Sequence, residues 1–456
     1  MMRSKINYRS LVKRDRVHSR LYTDAQVFDE ELERIFHRGW VYVGHRGEVP
    51  NPGDFLMKRI GRQPVIMVRD QSGSVNLLLN RCRHRGAMVC HHQQGNAKSF
   101  RCAYHGWTYK LDGTLAGVPY PEGYGRSFHR EEYGLLRVPR MAEYRGFIFG
   151  SLSRAGITLE EHLGRAREQI DLFVGLSDAG EIAVDCGAHK YDYRANWKLQ
   201  VENAMDGYHA ITLHDSFLGI LAERAKERNA ADDYKGQFEG SRFAVTRDLG
   251  GGHVMLDYWN RLYDALNDDP IPEVEPITPS GRAHFDELAA RFGQTRAMHN
   301  LMQGMTHTLV FPNLILIGIQ MRVVHPVRVD YSEVEVHPVR LTWLGEAVNA
   351  TRLRGHEAFF GPAGFGGPDD VEVFERVQAG LQAGLLEPWL MLGRGLNRER
   401  RDRDGTLIGE RTDEVTQRGI WRQWLKLMTG APRQSSRAAR RTAAIGNEAG
   451  GSPDPR

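Results

Sequence analysis

A chain of 456 residues with 41% hydrophobic and 26% charged side chains has room for two or three domains and the composition of a globular protein. Its longest apolar-leaning run, Leu309 to Met321, is broken by Pro312, Asn313 and Gln320 and is too short to cross a bilayer, so no membrane partner is expected. The net charge of +4 divides into a local +6 over residues 1–20 and +3 over residues 431–456, which leaves −5 for the body and excludes the basic face that nucleic-acid binding requires.

The basic N-terminus has no apolar core of the secretory kind and reads as a mature start. Residues 20–40 predict an amphipathic helix with Thr23 as N-cap and Phe28, Leu32 and Phe36 on one face. Between 41 and 152 the runs are short and β-rich: residues 65–68 and 75–79 flank the turn Asp70-Gln71-Ser72-Gly73, and 146–152 is another strand. After Ser153 the pattern becomes α plus β. Helices are expected over 159–172 and 197–213. Residues 221–300 read as charged and irregular around Gly250-Gly251-Gly252, and 308–343 as strands with a turn at Asp330-Tyr331-Ser332-Glu333. Pro368-Asp369-Asp370 opens a helix with Val371, Phe374, Val377 and Leu381 on one side, and 419–428 is a last amphipathic helix with Trp421 and Trp424. Beyond Gly430 apolar periodicity ends and disorder is expected.

Four cysteines are too few for a disulfide framework in so long a chain. Cys82, Cys90 and Cys102 crowd among His84, His91, His92 and His105, which points to metal. Cys82-x-His84 followed by Cys102-x2-His105 suits either a tetrahedral zinc site or a [2Fe–2S] cluster. Cys90-x-His92 competes for the first pair, and residue types alone leave these alternatives open.

A second group lies at Asp206, His209 and His214. The histidines are about 140° apart around a regular helix, so the helix must bulge or end between them if they share an ion. Asp206 can reach the second ring nitrogen of His209. Two histidines suit a 2-His-1-carboxylate iron site, with the carboxylate open among Glu202, Asp206, Asp215 and something distant.

Cys82-x-His84-Arg85-Gly86 with Cys102-x2-His105-Gly106-Trp107 resembles the Rieske motif of the aromatic-ring-hydroxylating oxygenases. Glu202-Asn203-x2-Asp206-x-Tyr208-His209-x4-His214 resembles the mononuclear-iron motif of the same family. The resemblance runs from about residue 20 to 430. It is strongest to the benzoate, anthranilate and salicylate hydroxylases, notably at Gly61-Arg62-Gln63-Pro64 and residues 187–214. It implies that Cys82 and Cys102 bind one cluster iron and His84 and His105 the other. It implies too that His209, His214 and Asp370 hold one Fe(II), Asp370 being favoured over Asp369 behind the glycine-rich residues 360–367. Asp206 would bridge His105 of one subunit and His209 of the next, and Asn203, His307 and Phe360 would line the substrate pocket.

The implied fold is α+β: an N-terminal helical segment (1–40) packing on the catalytic domain, a small all-β Rieske domain (41–155), a catalytic domain with an antiparallel sheet flanked by helices (156–430), and a disordered tail (431–456). The implied enzyme is a cytoplasmic terminal oxygenase, a dioxygenase with a monooxygenase as second choice. It would use O2 and electrons from NAD(P)H through a separate reductase or ferredoxin, as a homotrimer of alpha subunits with a small beta subunit. Its first-choice substrate is an aromatic carboxylate. Arg322 could hold that carboxylate, although an outward-facing Arg322 is the favoured reading. A Rieske electron-transfer protein would need only the cysteine-bearing group, and a zinc-stabilised binding module neither iron nor O2.

Overall fold

The computed structural model describes residues 6–177, 180–227, 244–257, 279–294, 297, 306–342 and 345–430; the tail expected to be disordered lies outside them. Among the described residues no helix is long and apolar enough to cross a membrane.

The N-terminal segment is not one helix. Thr23 ends a short turn, Arg20–Thr23, and its hydroxyl bonds back to Ser19 O at 3.4 Å. Asp24 caps the next helix, Ala25–Glu31, by accepting from Gln26 N at 2.7 Å, and a wider π turn follows over Leu32–His37. Glu31 anchors this segment. Its carboxylate is fully buried and accepts from Trp197 Nε1 (2.9 Å), Trp424 Nε1 (2.7 Å) and Lys198 Nζ (2.6 Å). A buried carboxylate so surrounded is paired and fully hydrogen-bonded, the condition under which burying it is tolerable.

Residues 41–151 form three small antiparallel sheets. Val41–His45 pairs with Phe147–Ser151, which pairs with Arg140–Tyr144. Gln63–Arg69 lies between Val75–Leu79 and Asp54–Ile60, and Thr108–Tyr109 between Phe100–Arg101 and Leu115–Gly117. The turn at Asp70 forms as its residues dictate: Asp70 Oδ1 accepts from Ser72 N (2.9 Å) and Ser74 N (3.1 Å).

The rest is built on one antiparallel sheet of nine strands. Their order is His189–Tyr193, Tyr331–Pro338, Gln320–Arg328, Leu314–Ile317, Thr306–Val310, His253–Asp257, Val245–Gly250, Leu407–Glu410 and Arg400–Arg401. Alternation along the strands divides the core. Leu309, Phe311, Ile315, Ile317, Val324 and Val336 pack with Trp197, Val201, Trp421 and Trp424, whereas Val310, Leu314, Leu316, Met321 and Val323 pack with Leu163, Ile170, Tyr42 and Phe147.

Several expected boundaries move. The helix expected over 159–172 breaks at Gly164, whose φ of +47° separates Leu159–Leu163 from Ala166–Val174. The stretch read as irregular, 221–300, takes in the end of the helix Asp215–Glu227, two sheet strands and the helix Pro279–Phe292, and Gly251 and Gly252 make the turn joining those strands. The second hairpin turns at residues 329–330, because Arg328 already pairs with Tyr331. The helix expected to open at Pro368 starts at Gly366, placing the proline in a first turn where its missing N–H costs nothing. The last helix is longer than expected, Val415–Thr429.

Candidate metal centres

The helix expected over 197–213 ends at Asn203, and a separate turn, Ala210–Leu213, lies between the two histidines. Asp206 makes the break. Its Oδ1 accepts from Tyr208 N at 2.7 Å and its Oδ2 from His209 N at 3.3 Å, so a side chain supplies what helix carbonyls would have. Gly207 has no room for a side chain there, since an added Cβ would meet Arg411 O at 2.6 Å. His214 leaves the turn at φ −98°, ψ 23°. The two imidazoles consequently converge, with ring centroids 5.3 Å apart.

Asp370, buried on the helix Gly366–Gly380, closes the group. Its Oδ1 is 3.6 Å from His209 Nε2 and 3.5 Å from His214 Nε2, and the ligand atoms of all three residues lie within 4.8 Å of one another. Metal bonds of roughly 2.0–2.2 Å set neighbouring ligand atoms about 3–3.5 Å apart, so one ion fits this triad. Burial pushes the Asp370 carboxyl above its ordinary range against the pull of His209, His214 and Arg322. Burial pushes the His209 imidazole down, but its hydrogen bond to the Asp206 carboxylate and the charge of Asp370 outweigh burial and raise the pKa.

The far nitrogens of both rings are held by carboxylates. Asp206 Oδ2 is 3.1 Å from His209 Nδ1, and Asp369 Oδ2 is 3.2 Å from His214 Nδ1. Asp369 is the partner that sequence reasoning missed; it entered there only as a rival to Asp370, yet it sits behind the histidine, where it fixes the tautomer that leaves Nε2 free. Glu202 lies away from the triad, accepting from Tyr22 OH at 2.8 Å. Asn203 Nδ2 donates to Asp370 Oδ1 at 3.2 Å, and so orients the carboxylate. His307 bonds Ala204 O through Nδ1 at 3.1 Å, and burial lowers its pKa to about 4. Phe360 packs at 4.6 Å on Phe359, which in turn lies 5.1 Å from the His214 ring.

Arg322 is where expectation fails. It is 3% exposed, not outward-facing, and its guanidinium lies 5.3 Å over the Phe360 ring. Its Nε has no hydrogen-bond partner, and among the described residues no carboxylate pairs with it. Sequence alternation on a strand buried on both faces carries no signal of this kind.

The cysteine-bearing loops are near copies of each other. Cys82 N donates to Ala87 O and Cys102 N to Trp107 O, both at 2.8 Å; Gly86 N and Gly106 N return to the respective cysteine carbonyls, both at 3.0 Å. Gly86 and Gly106 take φ of +79° and +71°, which the tight turn demands and other residues resist. His84 and His105 come together, ring centroids 4.5 Å apart, with His84 stacked on Trp107. Tyr109 OH accepts from Arg83 N (3.1 Å), which leaves its own hydrogen for Cys82 Sγ at 3.2 Å. Cys90 belongs elsewhere: its thiol meets His92 O, its N–H is held by Asn80, and His91 and His92 are exposed.

These residues fit a binuclear cluster. His84 Nδ1 is buried and orphaned, as a ligand atom is before its metal arrives, and Cys82 and Cys102 are buried free thiols. The four residues do not converge within 4.8 Å as His209, His214 and Asp370 do, although a single tetrahedral ion would require it.

Comparison with known proteins agrees. Residues 39–136 match the Rieske [2Fe-2S] domain, and residues 182–400 match the ring hydroxylating alpha subunit (catalytic domain). The chain is 36% identical over 386 residues to the 2-halobenzoate 1,2-dioxygenase large subunit of Burkholderia cepacia, covering 82% of this chain and 79% of the relative. It is 36% identical over 395 residues to the toluate 1,2-dioxygenase subunit alpha of Pseudomonas putida, covering 82% of each. The structure matches naphthalene 1,2-dioxygenase with indole bound in its active site at a TM-score of 0.77 and 26% identity, over 96% of this chain and 99% of that one. The chain therefore belongs to the alpha subunits of the Rieske non-haem iron ring-hydroxylating oxygenases. It is a terminal oxygenase whose cofactors are a Rieske [2Fe–2S] cluster and a mononuclear iron.

Proposed function

We propose that this oxygenase acts on an aromatic carboxylate, and that Arg322 binds the carboxylate. The observation that carries the reading is a guanidinium buried to 3% exposure beside Phe360, with no carboxylate partner among the described residues. An unpaired buried charge costs several kcal/mol, so a substrate anion is the natural counter-ion. An arene lying on Phe359 and Phe360 would have its acid group on Arg322 and its ring toward the triad. The 2-halobenzoate and toluate dioxygenases among the relatives, and an anthranilate 1,2-dioxygenase of Acinetobacter baylyi at 34% identity, carry the names of such acids.

Cys82, Cys102, His84 and His105 would hold the cluster, and His209, His214 and Asp370 the Fe(II). Held there, the cluster would supply one-electron transfer and the iron the oxygen chemistry of arene hydroxylation. The chain's own contribution is positional. Asp206 and Asp369 each face an Nδ1 and so turn the two Nε2 atoms toward Asp370, Asn203 steadies that carboxylate, and Phe359 and Phe360 form an aromatic wall beside it. Asp206 is 26% exposed and His105 is exposed, which supports a bridge between them across a subunit boundary. We propose the assembly accordingly: a homotrimer with small beta subunits, fed from NAD(P)H by a reductase or ferredoxin in the cytoplasm, where thiol ligands stay reduced. The domain limits proposed are 1–40, 41–155 and 156–430, with the tail at 431–456.

Turnover of benzoate-type acids and of the matching neutral arenes tests the reading. Arg322→Gln should raise KM for the acid roughly ten- to hundredfold, the worth of a charged hydrogen bond, and leave the neutral arene unaffected; Arg322→Lys should recover part of the loss. Equal losses on both substrates would refute the role of Arg322.

A further inference from the structure

A second set of two imidazoles and a carboxylate lies outside the iron triad. His189 opens the edge strand His189–Tyr193, and His356 and Glu357 lie near the end of the helix Glu346–Phe360. His189 Nε2 is 2.6 Å from Glu357 Oε1, and His356 Nδ1 is 3.4 Å from the same oxygen. One ligand atom from each falls within 4.8 Å of the other two, a convergence like that of the triad. The His356 side chain is 1% exposed, yet Nδ1 has only the long approach to Glu357, and Nε2 has no hydrogen-bond partner among the described residues. Leaving such groups unsatisfied costs about 1–3 kcal/mol each, and native interiors rarely do so without an unseen ligand.

We propose that His189, His356 and Glu357 bind a divalent transition cation of the zinc class, separate from the catalytic iron. Two imidazoles and one carboxylate are a zinc donor set, and bonds of roughly 2.0–2.2 Å would need only a modest widening of the His189–Glu357 contact. Zinc outranks ferrous iron on such ligands. The ion enters from solvent, because His189 and Glu357 are 28% and 44% exposed, and water completes its coordination. The consequence is mechanical. The cation ties the helix that ends in Phe359 and Phe360, the aromatic wall beside His214, to the edge of the sheet.

Zinc chloride titrated into the iron-loaded full chain tests the assignment. One equivalent per chain should survive gel filtration and raise Tm, and Zn K-edge absorption should show two imidazoles. His189→Ala and Glu357→Gln, both on the solvent side, should bind zinc at least tenfold more weakly and lose the Tm shift while keeping the visible Rieske spectrum and the mononuclear iron, which together report that both cores are folded. Asp370→Ala should keep its zinc equivalent. The proposal is overturned if the wild-type chain retains no zinc, if His189→Ala and Glu357→Gln retain it unchanged, or if Asp370→Ala abolishes it.

Discussion

Cys82 and Cys90 are both buried free thiols at 3% and 5% exposure, so burial does not separate a ligand from a bystander. Their surroundings do. The Cys82 sulfur receives the Tyr109 hydroxyl and sits in a loop whose twin carries Cys102, whereas burial raises the pKa of the Cys90 thiol against a weaker backbone hydrogen bond at His92. Desolvation that outweighs the surrounding hydrogen bonds disfavours the thiolate that a metal needs. Cys82→Ser is therefore expected to abolish the visible absorbance of the cluster and Cys90→Ser to leave it; a bleached Cys90→Ser beside a coloured Cys82→Ser would reverse the assignment.

Among the elements, the strand beginning at His253 shows how a polar side chain can lock two loops. His253 Nδ1 accepts from Phe311 N at 3.1 Å while Nε2 donates to His162 O at 2.7 Å, and His162 Nε2 donates to Phe311 O at 3.1 Å. Both rings are satisfied as neutral imidazoles, and a proton on His253 Nδ1 would confront the Phe311 N–H. Burial holds the His253 pKa at about 4, against 6.5 for the free side chain. Between these values the unfolded chain binds the proton that the folded chain refuses. Stability is thus complete above pH 6.5 and declines as pH falls toward 4. This one group should contribute a loss of about 2 kcal/mol between pH 7 and pH 5. Urea unfolding of His253→Gln at the two pH values should show a correspondingly smaller drop than wild type; an identical drop would place the acid sensitivity elsewhere.

At the scale of the molecule, the two centres occupy different cores. Cys82 and Cys102 belong to a core with Phe55, Trp107 and Tyr109, while the segment leading to His209 packs through Val201, Ala204 and Met205 into the large core of the sheet. Among the described residues no core residue is common to the two, and Asp206 points partly to solvent. A bridge from Asp206 to a neighbour's His105 makes a specific demand. Asp206→Asn should keep its iron and a reducible cluster yet lose nearly all electron delivery. Single-turnover oxidation of the pre-reduced cluster with substrate and O2 reads that step directly. Wild-type product formation would refute the bridge, and loss of the mononuclear iron would make Asp206 a ligand.

Donor chemistry and spacing are properties of the chain, so the two metal motifs, the β-rich first domain and the family were legible before any fold was known. Helix propensity is local too, but it lost at 197–213, where Asp206 turned its carboxylate onto the backbone and Gly207 closed against Arg411. Which carboxylate completes the triad is a long-range matter. Asp369 and Asp370 are neighbours on one helix, and only packing sends one to the Nε2 atoms of both histidines and the other to His214 Nδ1. The same holds for Arg322. A strand buried on both faces shows no polar alternation, so the sequence determined that an arginine stands there, and the tertiary structure alone decided that it lies against Phe360 within the electrostatic reach of Asp370.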